Sequence, residues 1–127
     1  MQADISGSQR KVVSHAVRPA RLAHGDSGIA LKDGKTLPFL VHRGWSAPLG
    51  HYAERFYIID QKTREVLFEG PERTELVRGL QAVTEFVDEI SMPLDLKPGP
   101  YGLVFALGGM MGGEETVEVF EVAEEAA

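Results

Sequence analysis

The chain contains no cysteine. That excludes disulfides, thiolate metal sites and a cysteine nucleophile, and it suits a reducing compartment. Positive charge is also scarce. Thirteen Lys and Arg face nineteen Asp and Glu, for a formal net charge of −6, and the longest basic cluster is Arg10-Lys11. Nucleic-acid binding needs a basic stripe that displaces counterions, so neither nucleic acid nor an anionic membrane is an expected partner. No apolar run approaches the ~20 residues that span a bilayer. Residues 1–9, interrupted by Asp4, lack the apolar centre of a secretory signal. A cytoplasmic protein is the expectation.

What is present is the composition of one ordinary domain: 127 residues, 43% hydrophobic and 25% charged. A chain of this length buries a sizeable core without covalent staples. The division expected is a flexible segment at residues 1–9, a single domain at 10–123 and a frayed acidic tail at 124–127. The acidic excess near the end (Glu114, Glu115, Glu118, Glu121, Glu124, Glu125) reads as a solvated strand face running into that tail.

Turn chemistry punctuates the sequence at intervals of about ten residues. A first strand is expected at 11–17. His24-Gly25-Asp26-Ser27-Gly28 reads as a turn. Asp33-Gly34 between apolar stretches at 29–32 and 36–42 is a strong hairpin signal. A loop from Arg43 to Gly50 carries the single Trp45. Residues 52–60 hold Phe56-Tyr57-Ile58-Ile59, an unbroken apolar run expected of a central strand covered on both faces. The chain returns at 65–69. Tyr101, Leu103, Phe105 and Leu107 alternate with smaller residues and mark the core face of a strand. Gly108 to Gly113 reads as a flexible loop, and 116–122 as a last strand with a bulge where its apolar phase shifts between Val119 and Phe120.

Residues 72–92 support two readings. Leu76, Leu80, Val83, Val87 and Ile90 fall on one helical stripe, with Pro71 and Pro93 as start and stop. Gly79 in mid-segment and β-branched Val77, Val83, Thr84 and Val87 oppose a helix. In the strand reading, the segment splits at Gly79 and alternates through Phe86, Ile90 and Met92. Seven to nine short strands with turns between them predict a mainly β protein. The expected architecture is an antiparallel β-sandwich, immunoglobulin-like in general shape, with at most one helix, at residues 72–91.

Several segments have the look of chemistry. Gly25-Asp26-Ser27-Gly28 resembles the nucleophile motif of chymotrypsin-like serine proteases. That family places its His and Asp before the Ser on a much longer chain, whereas only His15 and His24 precede Ser27 here. Gly34-Lys35-Thr36 resembles the end of a phosphate-binding P-loop, but the motif needs Gly where Ile29 stands and must join a strand to a helix. Both therefore read as turns, and no catalytic residue is assigned.

Four histidines (His15, His24, His42 and His51) raise the question of metal. If 36–42 and 52–60 pair as a hairpin, His42 and His51 approach at its loop end with Glu54 nearby. This makes His42, His51 and Glu54 the candidates for a small metal- or His-dependent enzyme of cupin-like barrel type. The two histidines spaced by one residue that such a barrel shows are absent. No cofactor is expected.

Trp45 has two readings: filler between sheets, or a platform that forms a binding wall with His42, Arg43, His51 and Tyr52. Met110 and Met111, flanked by glycines, offer an adaptable contact surface. The leading functional expectation is a non-catalytic binding or protein-interaction module, homodimeric or with a protein partner. A carrier of a small apolar ligand, gated by the loop from Gly108 to Gly113, is the third.

Overall fold

A computed structural model describes residues 9–122. The expectations for residues 1–9 and 124–127 fall, apart from Gln9, outside the described residues. Ten strands follow one another: β1 (Lys11–Pro19), β2 (Ile29–Lys32), β3 (Lys35–Thr36), β4 (Phe39–Ser46), β5 (Gly50–Ile59), β6 (Val66–Glu69), β7 (Arg73–Val77), β8 (Thr84–Ile90), β9 (Gly99–Leu107) and β10 (Met110–Glu121). A single 3-10 turn at Leu22–His24 is the only helical element among the described residues. No helix among them is long and apolar enough to cross a membrane.

The strands form two sheets. One is three-stranded in the order β1-β4-β8, and the other runs β3-β2-β10-β9-β5-β6, with β7 also pairing with β5. The sheets face one another across a core of Trp45, Phe39, Phe56, Phe105, Ile58, Leu103, Leu107 and Val41. This is an immunoglobulin-like β-sandwich. Alternation builds it. In β4, Phe39, Val41, Arg43 and Trp45 are buried in strict period two, and Leu103, Phe105 and Leu107 do the same in β9.

The hairpin at Asp33-Gly34 forms as expected. Both residues take positive φ, 55° and 79°, as a two-residue turn with the right twist requires. The helix considered at 72–91 does not exist: the segment is β7, a turn and β8. Gly79 takes φ 105° at the break, a conformation closed to most side chains. The β-branched residues then complete an edge strand that buries Phe86, Asp88 and Ile90.

Three further expectations are corrected. The pairing is not antiparallel throughout, because β2 runs parallel to β10. The chain passes through seven further strands between β2 and β10, so no short connection constrains their direction. The bulge in the last strand lies between Met111 and Gly113, not at Val119–Phe120. Val119 is buried in the core and Phe120 lies on the other face against Gly25 and Gly28, so both faces of β10 are apolar there without a slip. Finally, residues 108–113 are not a loop. Gly108 and Gly109 form a tight turn at positive φ, and β10 begins at Met110.

Candidate functional site

Inward register on β4, β5 and β8 is not wholly apolar. Arg43, Glu54 and Asp88 occupy core positions. Arg43 donates through Nε and Nη2 to the two Glu54 oxygens at 2.7 and 2.5 Å, a bidentate pair joining the two sheets. Its Nη1 donates to the Val41 carbonyl at 3.1 Å. Its Nη2 also lies 2.7 Å from Asp88 Oδ2, in contact but outside hydrogen-bond alignment. Trp45 Nε1 donates to Glu54 Oε2 at 3.0 Å. Arg73, on β7, donates to Asp88 Oδ1 at 2.5 Å. The guanidinium of Arg43 stacks near Phe56 and Phe86, 5.1 and 5.7 Å from the ring centres. Burial alone would pull the Arg43 guanidinium down. Hydrogen bonds and charge from Glu54, and then the adjoining Asp88 carboxylate, outweigh that and hold it above its ordinary value.

Two arginines and two carboxylates thus meet between the sheets. Each carboxylate oxygen lies against a charged or indole group, and of the four only Asp88 Oδ2 accepts no hydrogen bond. It is inter-sheet structure, and Trp45, fully buried, is part of it. Trp45 fills the space between the sheets and presents no platform to solvent.

The histidine grouping does not assemble. β4 and β5 belong to different sheets and do not pair, so the supposed hairpin that would bring His42 to His51 is absent. Parity separates the groups further. His42 alternates with buried Arg43 and faces outward from the small sheet. Glu54 points inward, while His51, three positions earlier on β5, is exposed on the opposite face. Among the described residues no three His, Asp or Glu converge to hold a metal ion. The metal reading of His42, His51 and Glu54 is corrected on that ground. His42 Nε2 is covered and lacks a hydrogen-bond partner.

The Gly-Asp-Ser-Gly turn lies beside His15 after all. Asp26, Ser27 and Gly28 line a shallow groove of about 320 Å³ with His15, Thr116 and Glu118. No hydrogen bond among the described residues links Ser27 to His15, whose nearest acid is Glu115 at 3.8 Å. The groove carries no nucleophile–base pair.

What the fold does gather is the two loops singled out around Trp45 and Met110. A Cβ on Gly112 would stand 2.2 Å from the Trp45 ring, and one on Gly108 would stand 3.2 Å from the Tyr52 ring. Tyr52 donates to the Pro48 carbonyl at 2.9 Å, and Arg10 packs over its ring at 4.8 Å while donating to the Leu107 carbonyl. The β9–β10 turn, the corner before β5 and the corner after β7 therefore share one end of the sandwich. Leu76 is opposite His51 in register, and a Cβ on Gly79 would stand 3.8 Å from that of Leu49. At this end Leu49, Met111, Leu76, Leu80 and Met110 are 70%, 60%, 48%, 46% and 40% exposed. Leu49 was not singled out in the sequence, and Leu76 and Leu80 stood out only as members of a helical stripe. Leu49 and Leu80 are apolar residues at corners next to Gly or Pro, and Leu76 lies within a strand, so all three resemble ordinary core.

The expected gate from Gly108 to Gly113 is a turn followed by strand, and Gly112 seals against Trp45. The interior behind it is occupied by Trp45, Phe105 and Leu107.

No family model matches the chain, and no curated protein matches it. Solved structures do resemble it. A chain of Bacteroides fragilis assigned as a β-galactosidase is similar over 87% of this chain and 17% of its own, at 11% identity and a TM-score of 0.57. The alkylpurine DNA glycosylase AlkC of Pseudomonas fluorescens, in a complex with DNA containing an abasic-site analogue, is similar over 87% of this chain and 30% of its own, at 14% identity and a TM-score of 0.51. An immunoglobulin-like protein of Pseudomonas aeruginosa aligns over 87% of this chain and 95% of its own, at 12% identity and a TM-score of 0.45. This chain thus spans less than a third of the first two proteins, and the likeness to them is one of fold.

Proposed function

We propose that this protein is a non-catalytic protein-interaction module, and that the apolar end of the sandwich is its contact surface. The observation that carries the reading is the gathering of Leu49, Leu76, Leu80, Met110 and Met111 at one end. Large apolar side chains scattered singly over a surface are ordinary, but a group of them beside a rigid frame marks a contact site. Met110 and Met111 give the surface adaptable shape. The turn glycines and the Trp45–Gly112 contact hold the end in place. A cytoplasmic setting belongs to the same reading and is supported by a chain without cysteine.

Leu49→Asp and Met111→Asp test it. Both side chains are largely exposed, so folding should be unaffected, as read by the emission of the single Trp45. Binding of the partner recovered by cross-linking in the native cell should drop at least tenfold for each variant. Retention of the partner by both variants overturns the assignment of this surface.

A further inference from the structure

The outer face of the three-stranded sheet is patterned in rows. Register places Arg18, Leu40 and Glu89 in one row, Ala16, His42 and Val87 in the next, and Ser14, Gly44 and Glu85 in the third. Strand β1 therefore contributes a cation and small residues, and strand β8 contributes two carboxylates and an apolar ridge. Arg18, Glu85 and Glu89 form no ion pair among the described residues; Glu89 meets only the Ser91 hydroxyl, at 3.4 Å. The small side chains leave a hollow of about 260 Å³, lined by Ser14, His15, Ala16, Arg18, His42 and Glu85. Val87 and Val83, 44% and 49% exposed, stand up on the β8 side, and Val83 leans over Gly44.

We infer that this face pairs with a second copy of itself about a two-fold axis lying in the interface along β4. That operation carries the β1 side of one copy over the β8 side of the other without changing rows. Arg18 then faces Glu89 of the other copy, twice, and the Val87 ridge sits over the hollow at Ala16. Facing sheets stand ~10 Å apart, a gap that an arginine and a glutamate span together. A two-fold axis across the strands would instead set Glu89 against Glu85, so charge selects the first arrangement. This surface is separate from the apolar end, so the inference goes beyond the proposed function and does not depend on it.

The size of the face bounds the kind of contact. Three strands ~4.8 Å apart and about nine residues long cover roughly 400 Å² per copy. The interface falls in the small class, below ~1,200 Å² in total, which is that of weak and transient contacts.

Sedimentation equilibrium from about 5 µM to 1 mM reads this directly. The wild type should follow a reversible monomer–dimer curve. Arg18→Glu and Glu89→Arg should each weaken it at least tenfold. The combined R18E/E89R variant should return to within about threefold of wild type, which no folding defect could mimic. Met111→Asp should leave the dimer unchanged. A monomer at 1 mM overturns the inference. So does a dimer indifferent to both single charge reversals, a double variant as weak as the singles, or a dimer lost in Met111→Asp.

Discussion

Replacing Arg43 by Met strands Glu54 between the sheets with Trp45 Nε1 alone, and leaves Asp88 to Arg73. Breaking a buried ion pair from one side costs about 3–5 kcal/mol, because the remaining charge is desolvated and uncompensated. Replacing Glu54 by Leu is milder. Arg43 retains Asp88 and the Val41 carbonyl, and the orphaned indole N–H adds a share, for about 2–4 kcal/mol in all. Making both changes removes both unmatched charges, and the loss should be about 1–2 kcal/mol, since apolar groups of similar volume replace a buried pair at little cost. The two substitutions should therefore couple by about 3 kcal/mol or more in a double-mutant cycle. A domain of this size is stable by about 5–15 kcal/mol, so either single change would shift a urea transition far. Trp45 is the only tryptophan and touches Glu54 directly, so its emission reports the transition. Losses that simply add, or a single-variant loss of Arg43→Met below about 1 kcal/mol, would refute the inter-sheet pairing.

Other consequences are local. Gly112→Ala would drive a Cβ to 2.2 Å from the Trp45 ring and 2.7 Å from the Arg10 carbonyl, so it should cost about 1–3 kcal/mol by overpacking and move the Trp45 emission. Gly34→Ala meets nothing within 4 Å and should cost only the strain of φ 79°, about 1 kcal/mol by urea unfolding. Arg64 donates twice to Glu114 at 2.6 and 2.7 Å, and these bonds hold the Glu114 carboxyl below its usual value. The backbone N–H groups of Thr63 and Lys62 do the same for Asp60. A folded pKa below the unfolded one gives stability that is full above the usual carboxylate range and is lost as pH falls through the folded value. The turn at 60–65 should therefore loosen on acidification below about pH 4, and Arg64→Ala should raise the Glu114 midpoint in an NMR titration. An unmoved midpoint contradicts the pairing. His42→Leu removes a covered nitrogen without a partner and should be neutral or stabilising by up to about 1 kcal/mol; a loss above that in thermal unfolding contradicts it.

Much of the sandwich was legible where period two is strict. Tyr101 to Leu107 marked β9, and Asp33-Gly34 fixed its hairpin, because short-range sterics decide both. Residues 72–92 were ambiguous, since an apolar set at 76, 80, 83, 87 and 90 satisfies a helix while Phe86, Ile90 and Met92 satisfy a strand. The sheet edge beside β4 decided it, and no local signal carries that information. The parallel pairing of β2 with β10 was hidden for the same reason. The buried Arg43–Glu54–Asp88 cluster did have a signal. Arg43 alternates with Phe39, Val41 and Trp45, Glu54 with Phe56 and Ile58, and Asp88 with Phe86 and Ile90. Opposite charges at core phase on three strands point to one another, but only if the strand phases are trusted over the habit of placing charge outside. The histidine grouping failed on parity and on sheet membership. Tyr52, Met110 and Met111 do share one end of the molecule with Trp45 behind them, whereas His42 lies on another sheet.

A photoreactive residue placed at position 111, with one at position 62 as control, tests the interaction surface most directly. The account predicts a protein adduct in the native cell from position 111 that is lost with Leu49→Asp, and none from position 62. Adducts from position 62 alone, or none from position 111, would contradict it.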